Sequence, residues 1–129
     1  MPKLPAALAA LALLTTASAQ AQPSAITRVT LQSHDFPGAV YRSELMRVDI
    51  AKGGTVARHT HPGLELTYVD QGQALVKVAG QPDRTVKTGD SFSTTEGTPH
   101  SVTNIGPGVL TLITTYVVDK SKPLSTPAP

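Results

Sequence analysis

Three side chains that bind divalent metals lie close together near the middle of the sequence. His59 and His61 are two residues apart, and Glu65 follows four residues later. On a β-strand, residues i and i+2 point to the same face, so both imidazoles lean toward one point. Pro62 and Gly63 interrupt the strand, since proline has no N–H for a ladder and glycine accepts the dihedrals of a tight turn. The next strand then returns Glu65 toward the two histidines.

These side chain types suit a transition metal. Imidazole and carboxylate bind borderline divalent metals at about 2.0–2.2 Å, and two histidines with one carboxylate also occur in non-haem iron sites. The alternative is a surface loop that binds zinc adventitiously. Residues 89–104 favour the metal site, because His100 follows a turn with Gly97 and Pro99 and supplies a fourth ligand from a distant strand. The predicted ligands of one divalent transition metal ion are His59, His61, Glu65 and His100, and Mn, Fe, Zn, Ni and Cu all fit this donor set.

The two stretches together resemble the paired motifs of the cupin superfamily. The first reads G-x5-H-x-H-x3-E-x6-G from Gly53 to Gly72, and the second reads G-x5-T-x-G-x2-H-x3-N from Gly89 to Asn104. Thr95 stands where the family usually has proline. The short gap between the motifs, residues 73–88, is similar to that of small single-domain cupins. The resemblance implies an all-β fold, a single cupin jelly roll or double-stranded β-helix barrel, with the metal inside it.

The resemblance does not fix an activity, because one fold hosts many functions. One hypothesis is a metal-dependent enzyme, an oxygenase or isomerase, that acts on a small molecule in the barrel, with Glu65 as a catalytic base or as a plain ligand. The alternative is a periplasmic protein that binds a small ligand or a metal without turnover; a storage role would leave the ligand set without a purpose. No cysteine or motif lysine supports covalent catalysis. The nearest polar candidates for substrate contact are Tyr41, Arg47, Thr67 and Tyr68.

Composition limits the class of protein. The chain has 129 residues, enough for one domain, and is 40% hydrophobic but only 4% aromatic, so its core is predicted to be aliphatic and strand-rich. The net charge of +2 is spread along the chain without a basic stripe, which argues against nucleic acid as a partner. The absence of cysteine excludes disulfides.

The N-terminus is typical of a secretory signal peptide. Lys3 precedes an apolar run, residues 6–14, which is followed by the small-x-small site Ala17-Ser18-Ala19, with a second such site ending at Ala21. The apolar run is too short for a membrane anchor, which needs about 20 residues. We therefore expect a signal peptide at residues 1–21 and a cupin domain at 22–119. The mature protein would be periplasmic or secreted, without membrane attachment, and the proline-rich tail at 120–129 is expected to be disordered.

Alternating apolar residues and turn signals predict eight or nine short strands. In the strand over residues 40–50, Met46, Val48 and Ile50 share the face that lines the barrel. Arg58 is assigned to the outer face, and His34, outside both motifs, is interpreted as a loop histidine that binds no metal. Because a small barrel leaves exposed edge strands and cupins often bury them, we also expect a homodimer.

Export and dimerisation are tested together by the native mass of the exported protein. The small-x-small sites predict chains that begin at Gln20 or Gln22, and the edge strands predict two chains per particle. Native mass spectrometry of protein recovered from outside the cytoplasm should give twice the processed mass. A chain that retains residues 1–19 would contradict export, and a monomer at micromolar concentration would contradict the dimer.

Overall fold

A computed structural model describes residues 25–129, which form two antiparallel β-sheets. The described strands, in chain order, are β1 (Ile26–Asp35), β2 (Tyr41–Ile50), β3 (Thr55–Thr60), β4 (Gly63–Gln71), β5 (Gln73–Val78), β6 (Arg84–Lys87), β7 (Ser91–Thr94), β8 (His100–Asn104), β9 (Leu110–Asp119) and β10 (Thr126–Pro127). Their order is β1-β2-β9-β4-β7 in one sheet and β10-β3-β8-β5-β6 in the other. The predicted all-β double-stranded β-helix is confirmed.

The described part of the chain contains no helix with the length and apolar character needed to cross a bilayer. The predicted signal peptide, residues 1–21, lies outside the described residues.

The core lies between the two sheets and follows the two-residue period of the strands. Met46, Val48 and Ile50 are buried on β2, as predicted. On β9 the buried side includes Leu110 and Leu112 and continues through Thr114 and Tyr116 to Val118. Along β9 the interior therefore changes from an aliphatic part at Leu110 and Leu112 to a polar part at Thr114 and Tyr116, before the apolar Val118.

The same change from apolar to polar occurs on β4, where the buried residues are Val69, Thr67 and Glu65 in order toward the start of the strand. Burial of polar side chains is costly unless they are hydrogen-bonded or bind a ligand. The polar part of the interior is therefore the natural place to look for a functional site.

Asn104, the last residue of the second motif, has a structural role. Its amide nitrogen donates to the carbonyls of Ile50 at 2.9 Å and Gly108 at 2.8 Å, and its Oδ1 accepts from the N–H of Gly106 at 2.9 Å. These bonds satisfy a buried amide and close the turn before β9. Asn104 thus secures the strand that carries Thr114 and Tyr116 into the interior.

A bulge in β3 sets the direction of the first histidine. Val56 lies opposite Val102 and His59 lies opposite His100, so β3 holds one more residue than β8 between these pairs. An extra residue on one strand shifts the alternation of its side chains by one position. Both Val56 and His59 consequently face the interior.

The prediction that residues 120–129 are disordered is wrong. Thr126 and Pro127 form β10, which pairs with Thr60 and His59 of β3, and Leu124 packs against the core. Proline is compatible with this position because β10 is an edge strand, where one N–H is not needed for a ladder. The composition of the tail did not predict that Leu124 would pack against the core.

Candidate metal centre

The four predicted ligands meet at the polar end of the interior. Their nearest ligand atoms all lie within 4.8 Å of one another, although the residues come from β3, the position after β3, β4 and β8. Glu65 is 5% exposed and His100 is 1% exposed. The residues brought together are His59, His61, Glu65 and His100.

Backbone contacts between the two motifs hold this arrangement. Gly97, in the turn before β8, has a φ of 70° and donates its N–H to the carbonyl of His61 at 3.0 Å. A positive φ of this size favours glycine. At the start of β4, a Cβ on Gly63 would lie 2.1 Å from the Val117 carbonyl oxygen, so only glycine lets β4 approach β9 this closely. The glycines thus place both histidine-bearing segments beside the glutamate strand.

Each histidine ring is fixed through its Nδ1 atom. The Nδ1 atoms lie 2.7 Å from the carbonyl oxygen of Ala57 for His59, 2.7 Å from that of Leu124 for His61, and 2.9 Å from that of Thr98 for His100. A carbonyl oxygen only accepts, so each Nδ1 carries the hydrogen. In a neutral imidazole the other nitrogen, Nε2, then has a free lone pair. All three rings present the atom that binds a metal to the same point.

The separations between these atoms fit a bound cation. Nε2 of His61 lies 3.0 Å from Nε2 of His59 and 3.0 Å from Oε2 of Glu65, and Nε2 of His100 lies 2.8 Å from that oxygen. Two atoms bound at right angles to one ion at about 2.1 Å are about 3.0 Å apart. Among residues 25–129, the buried Nε2 of His100 has no hydrogen bond of proper geometry, despite its short distance to Glu65. The donor set therefore fits a divalent metal.

The charge balance of the site leads to the same conclusion. Burial alone would raise the pKa of Glu65, but the contacts with His100 and His61 outweigh burial and hold the pKa well below its usual range. Burial lowers the pKa of His59, which is therefore neutral at pH 7. For His100, the adjacent Glu65 carboxylate outweighs burial and raises the pKa. A buried carboxylate needs a positive partner, and here that partner is a proton shared with a histidine or a metal ion.

A set of threonine hydroxyls orients the carboxylate. Thr67 donates to Oε1 of Glu65 at 2.8 Å and lies 2.9 Å from the hydroxyl of Thr114, while Thr94 donates to Oε2 at 3.4 Å. The stronger of these bonds holds Oε1, which leaves Oε2 directed at the histidines. Thr67, predicted as a substrate contact, instead supports the glutamate.

The four residues open into a small cavity of about 50 Å³. Arg28 is the only basic residue apart from the histidines that lines it within the described chain, and this arginine is exposed on β1. Burial raises the pKa of Tyr116, so the phenol keeps its proton at neutral pH. The remaining lining residues are Val48, Val56, Val102, Leu112, Thr114, Leu124 and Ser125.

Three of the candidate substrate contacts lie outside this cavity. Tyr41 and Tyr68 are exposed, and Arg47 forms an exposed ion pair with Asp49 at 2.9 Å. Tyr68 instead borders a wide depression of about 600 Å³ on the outer face of its sheet, which contains none of the four predicted ligands. His34 lies on strand β1 rather than in the predicted loop, is exposed, and is not one of the four clustered residues.

Sequence reasoning missed Arg28, Tyr116 and the tail residues. Leu112 and Tyr116 are four residues apart on β9 and therefore share a face, so the two-residue period of the strand could have predicted that Tyr116 is buried. Arg28 pairs with the buried Val48 across β1 and β2, a register that the sequence does not reveal. Leu124 had no detectable signal, because one leucine in a proline-rich segment does not predict a strand.

The family assignment rests on a sequence match that includes most of this site. The family model described as "Cupin domain" matches residues 46–116, more than half of the 129 residues. The chain belongs to the cupin family. The predicted resemblance is thus confirmed, and the matched region contains the four residues of the centre.

Relatives of known structure or activity include oxalate oxidases. Oxalate oxidase 1 of Hordeum vulgare is 31% identical over 102 residues, which cover 72% of this chain and 51% of that protein. The structure of recombinant oxalate oxidase in complex with glycolate is 25% identical, with a TM-score of 0.64, and the match covers 82% of this chain and 56% of that one. The chain therefore spans about half the length of these relatives.

A third similar structure is an uncharacterized protein with a double-stranded β-helix domain from Klebsiella pneumoniae. It is 21% identical, has a TM-score of 0.66, and is matched over 84% of this chain and 90% of that chain. At this identity the likeness concerns the fold alone.

His100→Ala should weaken metal binding far more than His34→Ala. His100 supplies one of the converging Nε2 atoms, whereas His34 is exposed on β1. The loss should exceed the about 10- to 100-fold decrease in affinity that follows removal of a ligand's hydrogen-bond partner. The Zn²⁺ affinity of each variant is measured by competition with a chromophoric chelator. Equal affinities of the two variants would mean that the metal binds elsewhere.

Proposed function

We propose that this cupin is a mononuclear metalloenzyme that acts on a small carboxylic acid. The observation that carries the proposal is the cavity itself, which is lined by the four clustered residues and by Arg28, an exposed residue of edge strand β1. A closed structural metal site has no such adjoining space, whereas a catalytic site keeps an open position.

The size of the cavity limits the substrate. Its volume of about 50 Å³ is well below the roughly 300–1,000 Å³ of pockets for drug-sized ligands. Only a molecule of a few heavy atoms fits without rearrangement. Oxalate and glycolate, which are named with the similar oxalate oxidases, belong to this size class.

The charges of the cavity favour an anionic substrate. A guanidinium presents a fork of N–H donors that matches a carboxylate, and Arg28 has no competing carboxylate within ion-pair distance among residues 25–129. Tyr116 keeps its phenolic hydrogen and is able to donate it to a second substrate oxygen. The aliphatic side chains Val48, Val102 and Leu112 exclude water and strengthen these interactions.

A bound divalent metal would supply a Lewis acid for a substrate oxygen and, if redox-active, electrons for dioxygen chemistry. Around it, Thr67 and Thr94 keep Glu65 in a ligating orientation. Glu65 itself remains a candidate catalytic base as well as a ligand. If oxalate is the substrate, its oxidation to carbon dioxide would reduce dioxygen to hydrogen peroxide, so oxygen uptake would report turnover.

A second candidate, a binding protein without turnover, is supported by the lack of a separate proton carrier. Apart from the four clustered residues, the titratable side chains that line the cavity within the described chain are Tyr116 and Arg28. Tyr116 has a raised pKa, and arginine stays charged. A periplasmic protein that captures a small anion or a metal would need no more than this.

The proposed setting is outside the cytoplasm, where the processed chain acquires its metal, and the proposed state is a homodimer. Support for a dimer comes from exposed apolar residues on edge strand β1, where Val29 is 47% and Leu31 is 48% exposed. Exposed apolar patches on a sheet edge commonly mark interfaces.

Arg28→Gln should weaken the binding of small carboxylates by about 10- to 100-fold, the usual range for loss of a hydrogen bond to a charged group. Metal content should stay unchanged, because Arg28 is not one of the clustered residues. Arg47→Gln is the matched control, since Arg47 pairs with Asp49 outside the cavity. Melting shifts and oxygen uptake are measured with oxalate, glycolate and their neutral amides on the Mn, Fe, Zn, Ni and Cu forms.

The outcomes separate the candidates. Oxygen uptake on a redox-active metal form, with none on the zinc form, identifies an oxidase. Turnover on the zinc form without oxygen uptake identifies an isomerase or lyase. Melting shifts without turnover on every form favour the binding protein. Equal melting shifts in the wild type and Arg28→Gln would contradict the assignment of a carboxylate to Arg28.

A further inference from the structure

The C-terminal segment, residues 120–129, is fastened to the barrel at three places. At its start, Asp119 accepts hydrogen bonds at Oδ1 from the N–H of Ser121 at 2.9 Å and from its hydroxyl at 2.6 Å. In the middle, Leu124 packs against the core. At its end, β10 pairs with β3, and the N–H of Ala128 donates to the Arg58 carbonyl at 3.0 Å.

This segment makes a direct contact with the metal centre. The carbonyl oxygen of Leu124 lies 2.7 Å from Nδ1 of His61, across 63 positions of the sequence. The other two histidines are held locally, because His59 and His100 use carbonyls only two residues before them. His61 is therefore the one clustered histidine whose ring orientation depends on a distant part of the chain.

His61 also lacks the constraint of a strand. β3 ends at Thr60 and β4 begins at Gly63, so His61 lies in the connection between them. Without an acceptor at Nδ1, a neutral imidazole is free to place its hydrogen on Nε2, where it would block metal binding. The contact with Leu124 prevents this by requiring the hydrogen on Nδ1.

The same residues form part of the cavity wall. Leu124 and its neighbour Ser125 both line the cavity beside the histidines. A chain without them would present His61 and the open side of the centre to solvent. One segment thus sets both the direction of a ligand atom and the enclosure of the site.

We propose that the C-terminal segment is a positioning element of the metal centre, in which the Leu124 carbonyl fixes the tautomer of His61 and the Leu124–Ser125 wall closes the cavity. The proposal rests on the metal site of the proposed function, but not on any activity or substrate. A purely stabilising role for the tail would lower the melting temperature without altering the His61 tautomer.

The test compares two truncated chains with the full protein. A chain that ends at Pro123 loses the Leu124 carbonyl, whereas a chain that ends at Pro127 keeps Leu124 and β10. The shorter chain should bind Zn²⁺ about 10- to 100-fold more weakly, as expected when a ligating histidine loses its hydrogen-bond partner. The longer chain should bind Zn²⁺ like the full protein. Chelator competition measures both affinities.

Nitrogen-15 NMR of the histidine rings provides a readout that stability alone would not change. In the metal-free full chain, at a pH where the rings are neutral, His61 should carry its hydrogen on Nδ1. In the chain that ends at Pro123, His61 should shift toward the Nε2–H form, while His59 and His100 keep their local partners and serve as internal controls.

If the shorter chain does not fold, the tautomer of His61 in the metal-free full chain still tests the proposal. An Nε2–H tautomer of His61 in the metal-free full chain would overturn the proposal, as would unchanged zinc affinity and tautomer in a folded chain ending at Pro123. Failure of every carboxylate in the panel above would contradict the proposed function and leave this result intact, because neither readout uses a substrate.

Discussion

The site depends on three hydrogen bonds from histidine Nδ1 atoms to backbone carbonyls. These bonds place the hydrogens of His59, His61 and His100 on the outward side of each ring and leave the Nε2 lone pairs directed inward. Three lone pairs and a buried carboxylate would repel one another in the absence of a positive charge. A proton shared with His100 or a divalent cation relieves this repulsion, and only the cation satisfies all four donor atoms together.

The barrel supplies the backbone positions that this constraint needs. The bulge in β3 turns His59 inward opposite His100, and the N–H of Gly97 ties the second motif to the carbonyl of His61. The threonine hydroxyls on β4, β7 and β9 orient Glu65. The aliphatic part of the core holds the sheets together, and the polar part is free for chemistry because the remaining interior carries the stability.

Much of this arrangement was predictable from local sequence. The two-residue period placed Met46, Val48 and Ile50 inside, and the motif spacing identified the four residues that cluster. Features that depend on strand register were not predictable: Arg28 lines the cavity because β1 pairs with β2 opposite Val48. The prediction for the tail was wrong for another reason, since the order of residues 120–129 comes from tertiary contacts, the packing of Leu124 and the pairing of β10 with β3, rather than from the composition of the tail. The candidate contacts Tyr41, Arg47 and Tyr68 lie outside the cavity, because side chains on the outer face of a sheet do not reach its interior.

We expect the four clustered residues to bind one metal ion through three imidazole nitrogens and one carboxylate oxygen. The most direct measurement is X-ray absorption spectroscopy of the purified protein, combined with elemental analysis of its metal content. The expected result is one transition metal per chain, with nitrogen and oxygen neighbours at about 2.0–2.2 Å and the outer-shell scattering of imidazole rings. A protein that holds no metal after incubation with Mn²⁺, Fe²⁺, Ni²⁺, Cu²⁺ or Zn²⁺, or a bound metal without imidazole scattering, would contradict it.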